Sequence, residues 1–379
     1  MTNLDEPREY GDPYVGLLHT GINILEVSAA VARNPFLGLY PEQTPWGSPS
    51  IWDDIADFFR KIYYWIQPWN YLPYLYSVII SPARSATMVA PSNFPFFLWI
   101  TLMKPARSFS TTAIMSIGMV MVIITGGIDL SVGSVMGLAG LVTALAFDNG
   151  LSTTASVSCG LGVGVGFGLV NGLLVTVGRL PPFIATLGTL SIGRGLMYIV
   201  TRGVPVTPDT PEIFSVIGQG YVGYVPAPVI IMLVLALVFS IVMTFTTFGR
   251  QVYATGGNEN AAWLSGVNTA RIKLLVYTLS GLIASIAGII SFSRFLSAEP
   301  ASGFGMELDV IAAAAIGGAS LAGGVGSVLG SVIGAALTGI ISNGVVLMNI
   351  NTYAQQAITG LVILIAVSID VWRNARKER

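Results

Sequence analysis

The sequence predicts an all-α, polytopic integral membrane protein of about ten transmembrane helices, some of them broken or short. Three observations carry that prediction. Mean hydropathy is +0.73, and only 10% of the 379 residues are charged, against about 25% in soluble domains. Charges are missing from long windows: no Asp, Glu, Lys or Arg lies between Arg107 and Asp129, between Glu212 and Arg250, between Lys273 and Arg294, or between Asp309 and Asp370. A spanning helix takes about 20 mostly apolar residues, so the last window alone holds nearly three crossings. Glycine is abundant, at 44 residues, and in membranes glycine lets helix backbones approach closely.

The elements follow in chain order. Residues 1–90 form an atypical N-terminal region, and the opening MTNLDEPREYGDPY lacks the apolar stretch and cleavage site of a signal peptide, so it is expected to be retained. Within that region, 62–80 (IYYWIQPWNYLPYLYSVII) reads either as one kinked span, because Pro68 and Pro73 remove backbone donors, or as an interfacial aromatic segment. Apolar runs then place spans near 112–127, 131–147, 157–178, 182–200, 227–248, 272–293, 307–322, 327–347 and 354–372. Arg373, Arg376, Lys377 and Arg379 in the tail, with Arg250, Arg271 and Lys273 in the 249–273 loop, put both in the cytoplasm by the positive-inside rule. The Pro- and Gly-rich 202–226 segment then faces outside, as do Arg84, Lys104 and Arg107, against the rule. A local echo, GGxxLxxG at 126–133 and again at 317–324, reads as shared helix-break chemistry rather than an internal repeat.

Polar residues inside this apolar frame are the candidates for function. At MVIITGGIDLSVGS, Gly126 and Gly127 free the backbone while Asp129 or Ser131 is placed to cap the next helix. Asp129 lies at an expected span end, which favours the cap over contact with substrate or ion. The loop GRQVYATGGNENAAWLSGVNTAR is longer than a connector needs, and its AAWLSG portion reads as a short helix after a Gly256-Gly257-Asn258 turn. A docking surface for a cytoplasmic partner is the preferred reading. Arg194 inside a span must face protein or water, either bonding carbonyls or lining a pathway. Glu307 and Asp309 are expected in the first turn of a helix, where its dipole favours acids. Asn171 and Asn343 read as interhelical hydrogen-bonding residues.

Other chemistry is excluded by what the chain lacks. Its one cysteine, Cys159, sits in an apolar run and is expected to pack, and the one histidine, His19, lies in the polar N-terminal region. No metal site and no catalytic triad can be built from these in the membrane core. A net charge of −1 gives no footprint for nucleic acid. No GxxxxGK[ST] is present, so any ATP-driven step needs another polypeptide.

Four stretches carry a family resemblance: VIITGGIDLSVGSVMGLAG (122–140), PPFIATLGTLSIGRGLMYIVTRG (181–203), GRQVYATGGNENAAWLSGVN (249–268) and ELDVIAAAAIGGASLAGGVGSVLGSVIGAAL (307–337). With PSNF at 91–94, the chain from Pro91 to its end resembles the permease subunit of a bacterial ABC importer of the ribose and simple-sugar class. The resemblance implies a transport subunit, not an enzyme, in the bacterial plasma (inner) membrane, with 91–379 as the permease domain. It implies a cytoplasmic ABC ATPase, a second permease subunit, identical or related, and an extracytoplasmic sugar-binding protein as partners. The chain would bind no cofactor, ATP and Mg being used by the partner ATPase. It also implies that Gly249, Arg250, Gly256, Gly257, Asn258, Glu259, Ala261, Ala262 and Gly266 form the ATPase-coupling loop. Residues 1–90 depart from the family, which has a short N-terminus and one clean first span. The rival readings are an ion-coupled secondary transporter, which would keep acids near the midplane, and a membrane-embedded enzyme, which would need a cluster of acids or histidines there. Within the importer class, nucleoside or branched-chain amino-acid permeases compete, and GGIDLSVGS argues for sugar.

Overall fold

The computed structural model describes residues 94–347 together with Ala357, Gly360 and Leu361. The segment at 62–80, and all but those three positions of the span expected at 354–372, lie outside the described residues.

Eleven helices and one small hairpin make up the described chain. In order they are α1 (Phe94–Ile124), α2 (Val132–Asp148), α3 (Thr153–Thr176), α4 (Pro182–Thr201), α5 (Glu212–Gln219), the strands β1 (Tyr221–Val222) and β2 (Val225–Pro226), α6 (Ala227–Phe245), α7 (Thr247–Gly257), α8 (Glu259–Leu264), α9 (Thr269–Phe295), α10 (Met306–Ile316) and α11 (Val328–Leu347). Five helices are long and apolar enough to cross a membrane: α1 from Ala106, α3, α4, α6 and α9. The two strands pair antiparallel, Tyr221 opposite Pro226.

Burial sorts the helices into centre and periphery. Buried residues make up 78% of the apolar stretch of α1 and 61% of that of α9, but only 28% in α4 and α6. The outer helices turn Phe183, Ile199, Leu237 and Phe245 outward, exposed, as lipid-facing helices do. What draws α3 onto α9 is a row of small residues. A side chain added at Gly164 would strike the Gly281 carbonyl and Ser285, and one at Gly168 the Tyr277 carbonyl, whereas Gly162 and Gly166, on the opposite face, meet nothing. The spacing of four residues keeps the row on one face, so the two backbones touch.

The 202–226 segment is built rather than loose. Phe214 of α5 is fully buried, its ring 4.8 Å from Phe147 and 5.2 Å from Phe292. Ser293 Oγ donates to the Phe214 carbonyl at 2.6 Å and accepts from the Gly218 N–H at 2.8 Å. Arg107, which the charge rule had placed awkwardly, donates to the Gly218 carbonyl at 2.6 Å. It is held by the negative end of α5 rather than free to bias topology.

Two expectations are corrected. The span expected at 307–322 is the eleven-residue α10, roughly 16 Å at 1.5 Å per residue, too short for a bilayer core of about 30 Å. The helix stops because Gly317 and Gly318 follow, Gly318 at φ +89°, and the chain continues as turns to Ser327. The 249–273 loop is two helices, not one: Gly256 and Gly257 end α7 instead of forming a free turn, and Asn258 begins α8.

Candidate functional site

The break between α1 and α2 is the structural centre. After Ile124 the chain turns at Gly126, where φ is +79°, and runs without helix to a turn at Leu130 and Ser131. This non-helical stretch doubles back along α9 rather than ending at a membrane face. Asp129 meets Ser280, eleven residues from the start of α9 and fifteen from its end. Asp129 was expected as a cap at a span end; it lies just before α2, takes the Ser131 N–H, and is packed beside the middle of α9.

The buried Asp129 organises a polar chain across four elements. Its Oδ1 accepts from the Ser131 N–H at 3.0 Å and Ser131 Oγ at 2.6 Å, and its Oδ2 accepts from Ser280 Oγ at 2.9 Å. Asn171 Nδ2 on α3 donates to Ser131 Oγ at 2.8 Å, and Thr189 Oγ1 on α4 donates to Asn171 Oδ1 at 2.6 Å. Thr186 donates to the Ile128 carbonyl at 3.2 Å. Each of these side chains is buried, and a satisfied buried network fixes its members strongly because the alternative is an unpaired group in low dielectric. Ser131 makes no capping bond to α2, because its oxygen is engaged by Asp129 and Asn171. Gly127 must be glycine for space: a Cβ there would strike the Tyr277 hydroxyl, which is itself buried with no hydrogen-bond partner.

A second feature lies beside the first. A Cβ on Gly133, in the first turn of α2, would strike Glu307 Oε2, in the first turn of α10, and the Gly303 carbonyl. The starts of the two short helices therefore meet, and the Glu307 carboxylate lies where both helix dipoles favour negative charge. Arg194 completes the junction, donating to the Ser302 carbonyl at 2.6 Å and lying 3.7 Å from Glu307 Oε2. Glu307 thus pairs with Arg194, while the N-cap of α10 is Gly305, in the left-handed region. Asp309 stays in the first turn as expected.

The 249–273 segment forms a third feature, at the end of α9 away from Phe295. Asn258 caps α8, its Oδ1 accepting from the Ala261 N–H at 2.9 Å. Ala262 alone in α8 is buried, while Trp263 and Leu264 are 66% and 78% exposed. Glu259 is tied to Lys273 at 2.6 Å, and a cavity of about 780 Å³ opens between α8 and the α3–α4 turn, beside Arg179, Trp263 and Lys273. Arg250 and Ala261 are exposed; Gly249 is packed on the Met243 carbonyl, Gly257 is open, and Gly266 (φ +87°) terminates the segment. Gly256 packs on the Ile124 carbonyl and Gly324, so α7 touches the last residue before the α1–α2 break. The second GGxxLxxG joins there too: the Gly324 N–H donates to the Ile124 carbonyl at 2.9 Å. Tyr253 donates to the Gly326 carbonyl at 2.8 Å, and burial holds its phenol above the ordinary range.

Two sequence candidates fall away from these features. Asn343 is exposed on α11 and joins no network among the described residues. Cys159, expected to pack, is exposed on α3, because the row of glycines rather than the cysteine faces α9. Sequence reasoning missed Ser280, Thr186 and Thr189, whose only signal is a hydroxyl inside an apolar helix. Among the described residues no group of three or more His, Cys, Asp or Glu could hold a metal ion.

Comparison with known proteins gives a consistent picture. Residues 102–367 match the family described as branched-chain amino acid transport system / permease component. The ribose import permease protein RbsC of Escherichia coli (strain K12) is 42% identical over 278 residues, 73% of this chain and 87% of the relative. That of Bacillus subtilis (strain 168) is 38% identical over 289 residues, 76% and 90% of the two chains. The L-arabinose transport system permease protein AraH of Escherichia coli (strain K12) is 37% identical over 285 residues, 75% and 86%. No solved structure gives a significant match.

Proposed function

The chain belongs to the family of branched-chain amino acid transport system permease components, and from that premise we propose that it is the transmembrane subunit of an ATP-driven importer translocating a monosaccharide. The observation that carries this reading is its identity, along most of their length, to permeases named for ribose and arabinose.

The cargo would be delivered by an extracytoplasmic binding protein to the face holding α5 and the hairpin. At the other face, α8 with its exposed Trp263 and Leu264 would dock on a cytoplasmic ATPase, which supplies ATP and Mg chemistry. A second permease subunit would complete the path, and the tail with Arg373, Arg376, Lys377 and Arg379 would be cytoplasmic in the bacterial plasma membrane. Movement at α8 reaches the α1–α2 break directly, because α7 rests on Ile124. The hydrogen-bonded chain from Asp129 to Thr189 then ties that break to α3, α4 and α9.

Uptake of a radiolabelled pentose and hexose panel tests the reading, in cells expressing the chain with its ATPase and binding protein. Uptake of one sugar that vanishes with an ATPase-dead partner is expected. Uptake that survives the dead ATPase and collapses with a protonophore would overturn it in favour of a secondary transporter.

A further inference from the structure

We propose that the cavity at the C-terminal end of α9 is a monosaccharide site on the permease itself, through which cargo enters from the outer face. The inference rests on the importer reading above and adds to it a place and a set of contacts. The cavity has a volume of about 420 Å³, within the range of roughly 300–1,000 Å³ usual for small-molecule sites. It lies between α2, α9 and the loop from Ser297 to Ser302, at the end of α9 opposite α8. Gly140 and Gly288 close its inner wall, where the α2 and α9 backbones touch: a side chain at either would strike the other helix's backbone.

Its chemistry suits a polyol. Ser291, Ser297, Ser302 and Glu299 line it; among the described residues none of their side-chain oxygens is engaged in a hydrogen bond or ion pair. A serine hydroxyl both donates and accepts, and a carboxylate with two oxygens accepts from two neighbouring hydroxyls at once. Phe295 supplies an exposed apolar ring for the C–H face of a sugar.

The charge pattern speaks against an amino acid. Glu299 is the sole ionisable residue of the lining, so an α-carboxylate would meet repulsion from it. The nearby arginines are already engaged: Arg194 with the Ser302 carbonyl and Glu307, and Arg294 with the Arg107 carbonyl at 3.2 Å and the Phe295 ring. The loop is also held in place before any ligand arrives. Arg194 fixes Ser302, and Ala298 exchanges two backbone hydrogen bonds with Val206 at 2.9 and 3.0 Å. Such preorganisation reduces the ordering that binding would otherwise require.

The test uses the whole importer in intact cells. In a Cys159→Ser background, Ser297→Cys is exposed to a membrane-impermeant maleimide with and without D-ribose, and uptake is measured in parallel. Labelling is expected, slowed at least 5-fold by saturating D-ribose and unaffected by leucine. Adding Glu299→Gln is expected to raise the ribose concentration giving half-protection about 10-fold, the loss of a charge-assisted acceptor. Ser302→Cys, read the same way, serves if Ser297→Cys fails to insert. A complex that imports ribose while the cysteine is unlabelled, or labelled without protection, overturns the site and leaves the importer reading standing. Wild-type cells that import no sugar under the ATPase-dependent protocol overturn the importer reading instead, and the site with it.

Discussion

Replacing Asp129 by alanine removes the acceptor at the centre of the buried network. Three donors lose their partner: the Ser131 N–H, Ser131 Oγ and Ser280 Oγ. Ser280 lies inside α9 and can turn its hydroxyl to a carbonyl one turn back. The Ser131 N–H is backbone and cannot turn, so it stays unpaired at about 1–3 kcal/mol, and each lost bond to the carboxylate adds about 1 kcal/mol or more. Asp129→Ala is therefore expected to destabilise the chain by about 3–5 kcal/mol. Asparagine keeps one oxygen for both Ser131 donors and offers Nδ2–H to Ser280 Oγ, which changes from donor to acceptor, so Asp129→Asn is expected to cost about 1 kcal/mol. Ser280→Ala combined with Asp129→Ala should show a coupling of about 1–2 kcal/mol in a double-mutant cycle. The assay is reversible unfolding of the purified permease in lipid nanodiscs, followed by tryptophan fluorescence. Two results would refute the reasoning: Asp129→Ala within about 0.5 kcal/mol of wild type, which is the range of a neutral site, or Asp129→Asn as damaging as Asp129→Ala. The second result would mean that the charge, not the hydrogen-bond geometry, is what the site requires.

Gly164→Leu forces a branched side chain against the fixed Gly281 carbonyl and is expected to lower stability by about 3 kcal/mol or more, whereas Gly166→Leu, with open space around it, should stay within about 0.5 kcal/mol; equal effects in the same unfolding assay would remove the α3–α9 backbone contact as the cause. A Cβ at position 257 has nothing within 4 Å, leaving room for Gly257→Trp to point away, while one at position 256, in Gly256→Trp, strikes Ile124 and Gly324. The first should abolish ATPase-coupled uptake with wild-type stability and the second should lose both, so normal uptake in Gly257→Trp would sink the docking role of the α7–α8 junction. Tyr253→Phe leaves the Gly326 carbonyl without its donor and is expected to lower thermal stability by about 1 kcal/mol. Because burial raises the phenol pKa from 10.0, the folded chain keeps a proton that the unfolded chain releases above that pH. The contribution of Tyr253 is thus constant from about pH 6 to 9 and falls above about pH 10, and a wild-type minus Phe difference that grew with rising pH would contradict it.

Helix ends in apolar runs were legible to within a few residues. The spans expected at 182–200, 227–248 and 327–347 are Pro182–Thr201, Ala227–Phe245 and Val328–Leu347, since apolar length and flanking Pro or Gly are written locally. The 307–322 window misled for a physical reason. Hydropathy records whether a stretch avoids water, not whether its backbone is helical. Residues 317–327 are apolar turns whose backbone groups find partners inside the protein, as the Gly324 N–H does on Ile124. Non-helical backbone at membrane depth is tolerated only where protein satisfies it, and nothing local to the sequence announces the partner.

The same limit explains how much of the site could be read. GGIDLS announced a broken helix because two glycines, an acid and a serine interrupt an apolar run. A cap alone and a cap anchored to a second helix demand the same residue types, however, and differ only in what lies across the gap. Ser280 is 151 positions from Asp129, Thr186 is 58 from Ile128, and Asn171 is 40 from Ser131. Counting residues put Asp129 at a span end but did not place that end beside the middle of α9, because a count assumes the chain keeps moving one way; the left-handed Gly126 reverses it. Arg194 was narrowed to two roles by expense alone, and Glu307, 113 positions away, is part of what decides between them: the ion pair and the Ser302 carbonyl make it a brace for the junction of two helix starts. Where a membrane protein breaks its helices, the break itself is thus a local property of the sequence, whereas its depth belongs to distant hydroxyls whose pairing only the fold reveals.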